Sequence, residues 1–293
     1  MSLDERAEPA RRFGISEENR LRWQAFLEHF PWWLAGMGVL AVLVVILITT
    51  DPDFNQAFGI IRAGLTVTIL TTIFAFAIAT VLGLLTGLGR ISNNLFFRNL
   101  ATFYVELVRG IPMLVLIFFI ALVAIPGMVR GLNTLGAFLV EMGLSSLAAP
   151  LLSLQINQVD MNLRAIIALS TTYGAFLAEI FRAGIQSIPK GQMEAARSQG
   201  MTYSQAMRYV ILPQAIRNIL PALGNDFVSM LKDSSLVSVL AVRDITQIAR
   251  LYAGRSFKFP EAFTILAVMY LAMTVALSFV VKTMEKRMRQ NER

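Results

Sequence analysis

Ionisable side chains set inside otherwise apolar stretches are the positions at which this sequence could do chemistry. Glu106 and Arg109 stand three residues apart, as do Glu179 and Arg182, while Asp226, Lys232 and Asp233 share one segment with Asn225, Ser229 and Ser234. Charged groups within a membrane are costly and tend to face water-filled paths. At i, i+3 spacing each of the first two pairs can neutralise itself, so they read as structural ion pairs or as a polar gate near the cytoplasmic end. The third cluster holds acid, base and neutral hydrogen-bonding groups together, which is what a zwitterionic solute requires of its surroundings. Glu179, Asn225, Asp226, Ser229, Lys232 and Asp233 are therefore the candidate solute path. Lys232 and Asp233 could instead lie near the outer end of their helix and pair with each other.

Bond-making chemistry has little to work with. The chain has no cysteine, and its single histidine, His29, lies beside Glu28 in a polar leader, so thiol catalysis, thiolate metal sites and imidazole dyads cannot be assembled within one chain. A G-xxxx-GK[ST] phosphate loop, an HExxH helix and a GxSxG elbow are all missing. No cofactor is implied, and energy must come from a partner or an ion gradient.

The elements that position these groups are transmembrane helices. The chain is 56% hydrophobic and only 15% charged, with the charges bunched between apolar runs long enough to span a hydrocarbon core of about 30 Å. Six spans are predicted, at 32–49, 60–89, 99–125, 163–184, 214–240 and 261–283. Trp32 and Trp33 open the first as interfacial anchors, and Gly83-xxx-Gly87 offers the second a close-packing face. The net charge of +7 then reflects orientation and not nucleic-acid binding. With the N-terminus cytoplasmic, inner segments hold seventeen lysines and arginines and outer segments seven, which predicts both termini inside. Residues 1–30 mix arginines with acids and read as a soluble tail, not a cleavable signal. The apolar stretch Gly131–Ile156 is interrupted by Glu141, Ser145, Ser146 and Pro150, so 126–161 is expected as an outer loop carrying one surface helix.

The inner loop between the fourth and fifth spans, from Ile185 to Ile216, is written as two short helices. Pro189 suits a first turn, Gln192 to Gln199 are good helix formers, and Gly200 can close the helix in the left-handed conformation. Thr202 and Gln205 form a capping box for a second helix, which Pro213 brings toward its end. Ala195 and Ala196 would present a small flat face to another protein.

Glu194-Ala195-Ala196, Gly200 and Leu212-Pro213 reproduce the spacing EAA-xxx-G-x9-I-x-LP, with Val210 in place of isoleucine. This resembles the EAA loop of ABC-importer permease subunits. The segments from Tyr104, Ala168 and Leu223 look like the polar amino acid branch of that family, over roughly residues 60 to 284. The resemblance implies an all-α type I permease fold in which two permease subunits, copies or relatives, enclose the path. Each EAA loop, at 185–213, docks on a separate ATPase subunit, and a solute-binding protein delivers the amino acid from outside. Residues 31–50 would be an additional helix, 60–284 a permease core with five spans in contact with membrane lipid, and 285–293 a cytoplasmic tail. A self-sufficient ion-coupled carrier is the alternative from another class. It would call for inverted repeats with broken spans in matched halves, which are not evident; a permease for another small polar solute is a further alternative.

Overall fold

The computed structural model describes residues 32–290, and the expected tail 1–30, with His29, and the last three residues lie outside them. The chain divides into two units, Met1–Asp51 and Pro52–Arg293. In the first, the described part is α1 (Trp32–Thr50), whose Val39, Leu40, Val42, Leu43, Val45 and Ile46 are all exposed. A helix that is apolar all round belongs in lipid. Its last turn is closed by the Thr49 and Thr50 hydroxyls, which donate to carbonyls of Val45 and Ile46.

The second unit is helical throughout its described residues. In order it contains α2 (Pro52–Ile61), α3 (Leu65–Ile91), α4 (Leu95–Arg109), α5 (Met113–Phe119), α6 (Ile125–Glu141), α7 (Ser145–Leu152) and α8 (Met161–Gln186). After these come α9 (Lys190–Ser198), α10 (Tyr203–Ala206), α11 (Leu212–Asp233), α12 (Ile245–Ser256) and α13 (Phe259–Gln290). Segments 52–91, 113–141, 161–186 and 259–287 are long and apolar enough to cross a membrane, with 35–50 a shorter apolar helix. The protein is thus a multi-pass membrane protein. At 22 residues α11 is about 33 Å long, enough to cross, although Arg217, Asp226, Lys232 and Asp233 lower its apolarity. With it the number of crossings reaches the predicted six.

One predicted span is displaced. Residues 99–125 do not run as one helix, because Gly110 ends α4 and Pro112, extended at ψ 135°, starts α5. Proline disfavours helical backbone at the residue before it, so the chain turns at Ile111. The crossing segment is instead 113–141, and the expected outer loop is helical up to Glu141. Within it Ile120–Ala124 is a π turn that ends two residues before Pro126. Widening the turn relieves the clash of the proline ring with the preceding carbonyls and keeps the helix continuous. Gly143, at φ +78°, then folds α7 back on α6, and at eight residues α7 is too short to cross.

α8 is the centre of the unit: 61% of its apolar window is buried, against 11% for α13. It packs along α3 through a row of small residues on the latter, Ala75, Ala79, Gly83 and Gly87, one turn apart. A Cβ on Gly83 would lie 2.7 Å from Leu177 Cβ, and one on Gly87 would lie 2.9 Å from the Ala178 carbonyl oxygen. Small residues let two backbones approach to this distance, and dispersion rather than hydrophobicity holds them in lipid. Arg164, one of the seven basic residues that the sequence assigns to outer segments, is buried at the head of α8. It donates to the carbonyls of Val159 and Ile156 at 2.8 Å each.

Gly87→Val should drive α3 and α8 apart and destabilise the protein by about 1–3 kcal/mol, the usual penalty of overpacking. Gly191→Ala, where an added Cβ meets nothing within 4 Å, should leave stability unchanged or slightly raised. Thermal unfolding of the two variants in detergent checks this. Equal melting temperatures would contradict the close α3–α8 approach.

Candidate functional site

The 185–213 segment forms a hairpin whose turn is set by backbone chemistry. Pro189 caps α9, and Gly200 follows it at φ +85°. The Met201 N–H donates to the Ala196 carbonyl at 3.3 Å and the Gly200 N–H to that of Arg197 at 3.0 Å, the pair of bonds that closes a helix on a left-handed residue. The Thr202 hydroxyl accepts from Gln205 N–H at 3.3 Å, and the Gln205 side chain accepts from Thr202 N–H at 2.8 Å. Both caps stand where the sequence predicts them.

The second arm does not end near Pro213. From α10 the backbone passes through a π turn, Met207–Ile211, directly into α11. Pro213 has no N–H to give and its ring would clash one turn back, so the wider turn, again two residues before a proline, absorbs it. Gln214 Nε2 adds a bond to the Val210 carbonyl at 2.8 Å across the junction. The hairpin is therefore welded to α11. Ala196 is buried with Ala206 and Ile211, where α9 rests on the π turn, while Glu194, Ala195 and Gly200 face out. The expected flat face of two alanines is thus divided: Ala195 points outward and Ala196 holds the hairpin shut. Leu212 and Pro213 are exposed, as are Tyr203 and Tyr209.

Of the two expected local ion pairs, Glu179–Arg182 forms and extends into a network across helices. Arg90, at the end of α3, binds Glu179 of α8 at 2.6 Å and faces Glu106 of α4 at 3.6 Å. Glu179 also pairs with Arg182, whose Nε lies 3.2 Å away, and Arg182 donates to Gln186 at 2.5 Å. No Glu106–Arg109 pair forms among the described residues. The Arg109 guanidinium sits 5.8 Å from the Phe176 ring centroid instead. Arg90 was counted only as an inner basic residue, but it lies three positions after Gly87, on the face that meets α8. That spacing could have revealed it.

On α11 the polar candidates lie in a stripe: Asn225 and Lys232 are exposed, and Asp226, Ser229 and Asp233 are half-buried. The opposite side is packed, with Phe227 4.7 Å from Phe76 and both Met230 and Leu231 buried. Asp233 accepts a 2.6 Å hydrogen bond from the Tyr173 hydroxyl and does not pair with Lys232. Adjacent residues on a helix point about 100° apart, which explains why. Among the described residues Lys232 makes no ion pair. Tyr173, Phe176, Glu179 and Arg182 follow one another at intervals of three along α8 and engage, in turn, Asp233, Arg109, Arg90 and Gln186. This ridge joins α11, α4 and α3 to the central helix. Tyr104, whose phenol is pushed up by burial and stays protonated, adds a bond to the Thr171 carbonyl at 2.5 Å.

The arrangement offers an exposed mechanical element joined to a polar helix, over a neutralised charge network. Among known proteins, the probable glutamine ABC transporter permease protein GlnM of Bacillus subtilis is 36% identical over 234 residues, covering 80% of this chain and 95% of its own. The glutamine transport system permease protein GlnP of Escherichia coli K12 is 30% identical over 233 residues, covering 80% and 94%. A crystal structure of an amino acid ABC transporter with histidines superposes with a TM-score of 0.63 at 35% identity, covering 78% of this chain and 94% of that one. Residues 79–290 match the family of binding-protein-dependent transport system inner membrane components. The chain belongs to that family.

Proposed function

We propose that this chain is the permease subunit of an ATP-driven importer of polar amino acids, with both termini in the cytoplasm of a bacterial inner membrane. The amino acid class is supported by the relatives named for glutamine and by the crystal structure of an amino acid transporter. The observation that carries the coupling is the unbroken run from the exposed hairpin through the π turn into α11. Closure of a separate ATPase on Glu194, Ala195 and Gly200 displaces the hairpin. The helix runs on from the π turn and continues past Pro221, so α11 and its stripe of Asn225, Asp226, Ser229, Lys232 and Asp233 move with it. That stripe is too polar to face lipid, so a second permease subunit, a copy or a relative, covers it across a watery path. A solute-binding protein supplies the amino acid from the outer side.

Asp226 and Lys232 present opposite charges to a zwitterion. Asp226→Asn or Lys232→Met should lower uptake in vesicles about tenfold or more, the effect of losing one charge-assisted contact, while membrane insertion stays normal. Unchanged uptake in both would assign the stripe a structural role.

No atom crowds Gly200, so the penalty on a β-branched residue there comes from the positive φ alone, about 1–2 kcal/mol. Gly200→Val should open the turn, and Glu194→Lys should reverse a charge exposed to the ATPase. We expect both to abolish ATP-driven uptake and weaken retention of the ATPase during purification, without impairing insertion or pairing. A variant pair that kept the ATPase bound and drove normal uptake would remove the hairpin from the mechanism.

A further inference from the structure

A cavity of about 490 Å³ lies between α2 and α12, lined by no residue of the hairpin or of the α11 stripe. Its volume falls within the range of small-molecule sites. α2 opens the 52–91 segment and α12 stands just before the 259–287 segment, so the cavity sits where two spans begin, at the membrane surface. The seat is built. Gly64 lets the Asp244–Ile245 backbone approach within 2.6 Å of where a Cβ would stand, and the Ile245 N–H donates to Thr68 Oγ1 at 3.2 Å, fixing α12 on the end of α3.

Five polar side chains line it: Arg243, Arg255, Tyr252, Gln56 and Ser256, whose hydroxyl donates to the Tyr252 carbonyl at 2.8 Å. Both arginines are exposed, and among the described residues neither makes an ion pair. No acid lines the cavity, and two acids close to its lining residues in sequence are occupied. Asp244 is turned inward and accepts from the Gln247 N–H at 2.8 Å, and Asp53 is paired with Lys258. Tyr252 is 93% buried, since it retains 7% of its exposure, and its enclosed hydroxyl has no hydrogen-bond partner among the described residues. A buried hydroxyl left unsatisfied is unfavourable, and a ligand oxygen that reached it from the cavity would satisfy it. The remaining wall is largely apolar, with Ile60 and Leu251 open at the surface.

We propose that this cavity binds the phosphate of an anionic phospholipid from the surrounding bilayer. Two guanidinium groups are suited to phosphate oxygens, the Tyr252 hydroxyl and the Gln56 amide can donate to the same group, and Ile60 and Leu251 take the start of an acyl chain. An amino acid fits poorly, since its ammonium would meet arginines with no carboxylate among the lining residues. A free phosphate would use the polar side and leave the apolar wall wet. The site does not depend on which solute the protein carries.

The full chain, purified in detergent supplemented with equal amounts of phosphatidylglycerol and phosphatidylcholine, can be examined by native mass spectrometry. Wild type should retain phosphatidylglycerol in preference, and the Arg243→Gln, Arg255→Gln double variant should lose that preference by about tenfold or more. Tyr252→Phe, which leaves the charge unchanged, should weaken retention severalfold. Arg250→Gln removes an exposed charge from the same helix outside the cavity and should have no effect. Retention unchanged in the double variant, or lowered equally by Arg250→Gln, would overturn the proposal. Displacement of the lipid by inorganic phosphate at comparable concentration would assign the site to the free anion. Loss of solute-binding-protein docking with lipid retention intact would make the arginines a contact for acidic protein side chains, and would equally overturn the lipid site.

Discussion

The need to carry a helix through a proline without breaking it shapes this protein at its most consequential point, the entry of α11. A proline at that position deprives the preceding turn of a donor, and its ring crowds the carbonyl one turn back. The chain answers with a π turn at Met207–Ile211 and with the Gln214 side chain on the Val210 carbonyl. The same answer appears before Pro126, where a π turn lets 113–141 continue as one helix. Without it, the hairpin and α11 would be two bodies joined by a hinge, and displacement at one end would be lost at the other.

A lever needs a frame to move against. α8 supplies it, packed along α3 by the small residues Ala75, Ala79, Gly83 and Gly87 and tied by its ridge of Tyr173, Phe176, Glu179 and Arg182. The ionic part of that ridge contains Arg90, Arg182, Glu106 and Glu179, two charges of each sign, with Glu179 shared by both arginines. That sharing ties α3 and α8 together, and the cluster acts as a brace. The α11 stripe differs from it. Lys232 is exposed without an ion-pair partner among the described residues, and Asp226 and Ser229 are only half covered, a surface suited to solute and solvent.

What could be foreseen from the sequence is what local backbone chemistry decides. The left-handed Gly200, the Thr202–Gln205 box and the Gly83–Gly87 face each depend on a few neighbouring residues, and each is present. What depends on the rotation of one helix against another was not legible. Glu106 and Arg109 satisfy the i, i+3 rule, yet they separate because Arg90 and Phe176 offer better-placed partners. The span expected at 99–125 failed at Gly110–Pro112, where apolar periodicity continues through a backbone that cannot be helical. The segment after Asp233 was expected as more of the fifth span, but it tightens into the buried 3-10 turn Ser234–Leu240, and α12 follows as a short helix packed on α2, α3 and α13. Charge counting places Arg243 and Arg255 on the outer side but says nothing of the cavity they share.

The claim that the hairpin and α11 form one rigid body is open to direct measurement. Spin labels at Ser198, on the exposed end of α9, and at Asn225, on the exposed face of α11, report their separation by pulsed electron spin resonance in the assembled transporter. A third label at Leu85 on α3 serves as the frame. We expect the Ser198–Asn225 distance distribution to be the same with and without bound ATP, while the Ser198–Leu85 distribution shifts. A Ser198–Asn225 distance that changed with nucleotide would place a hinge at the π turn and contradict the account.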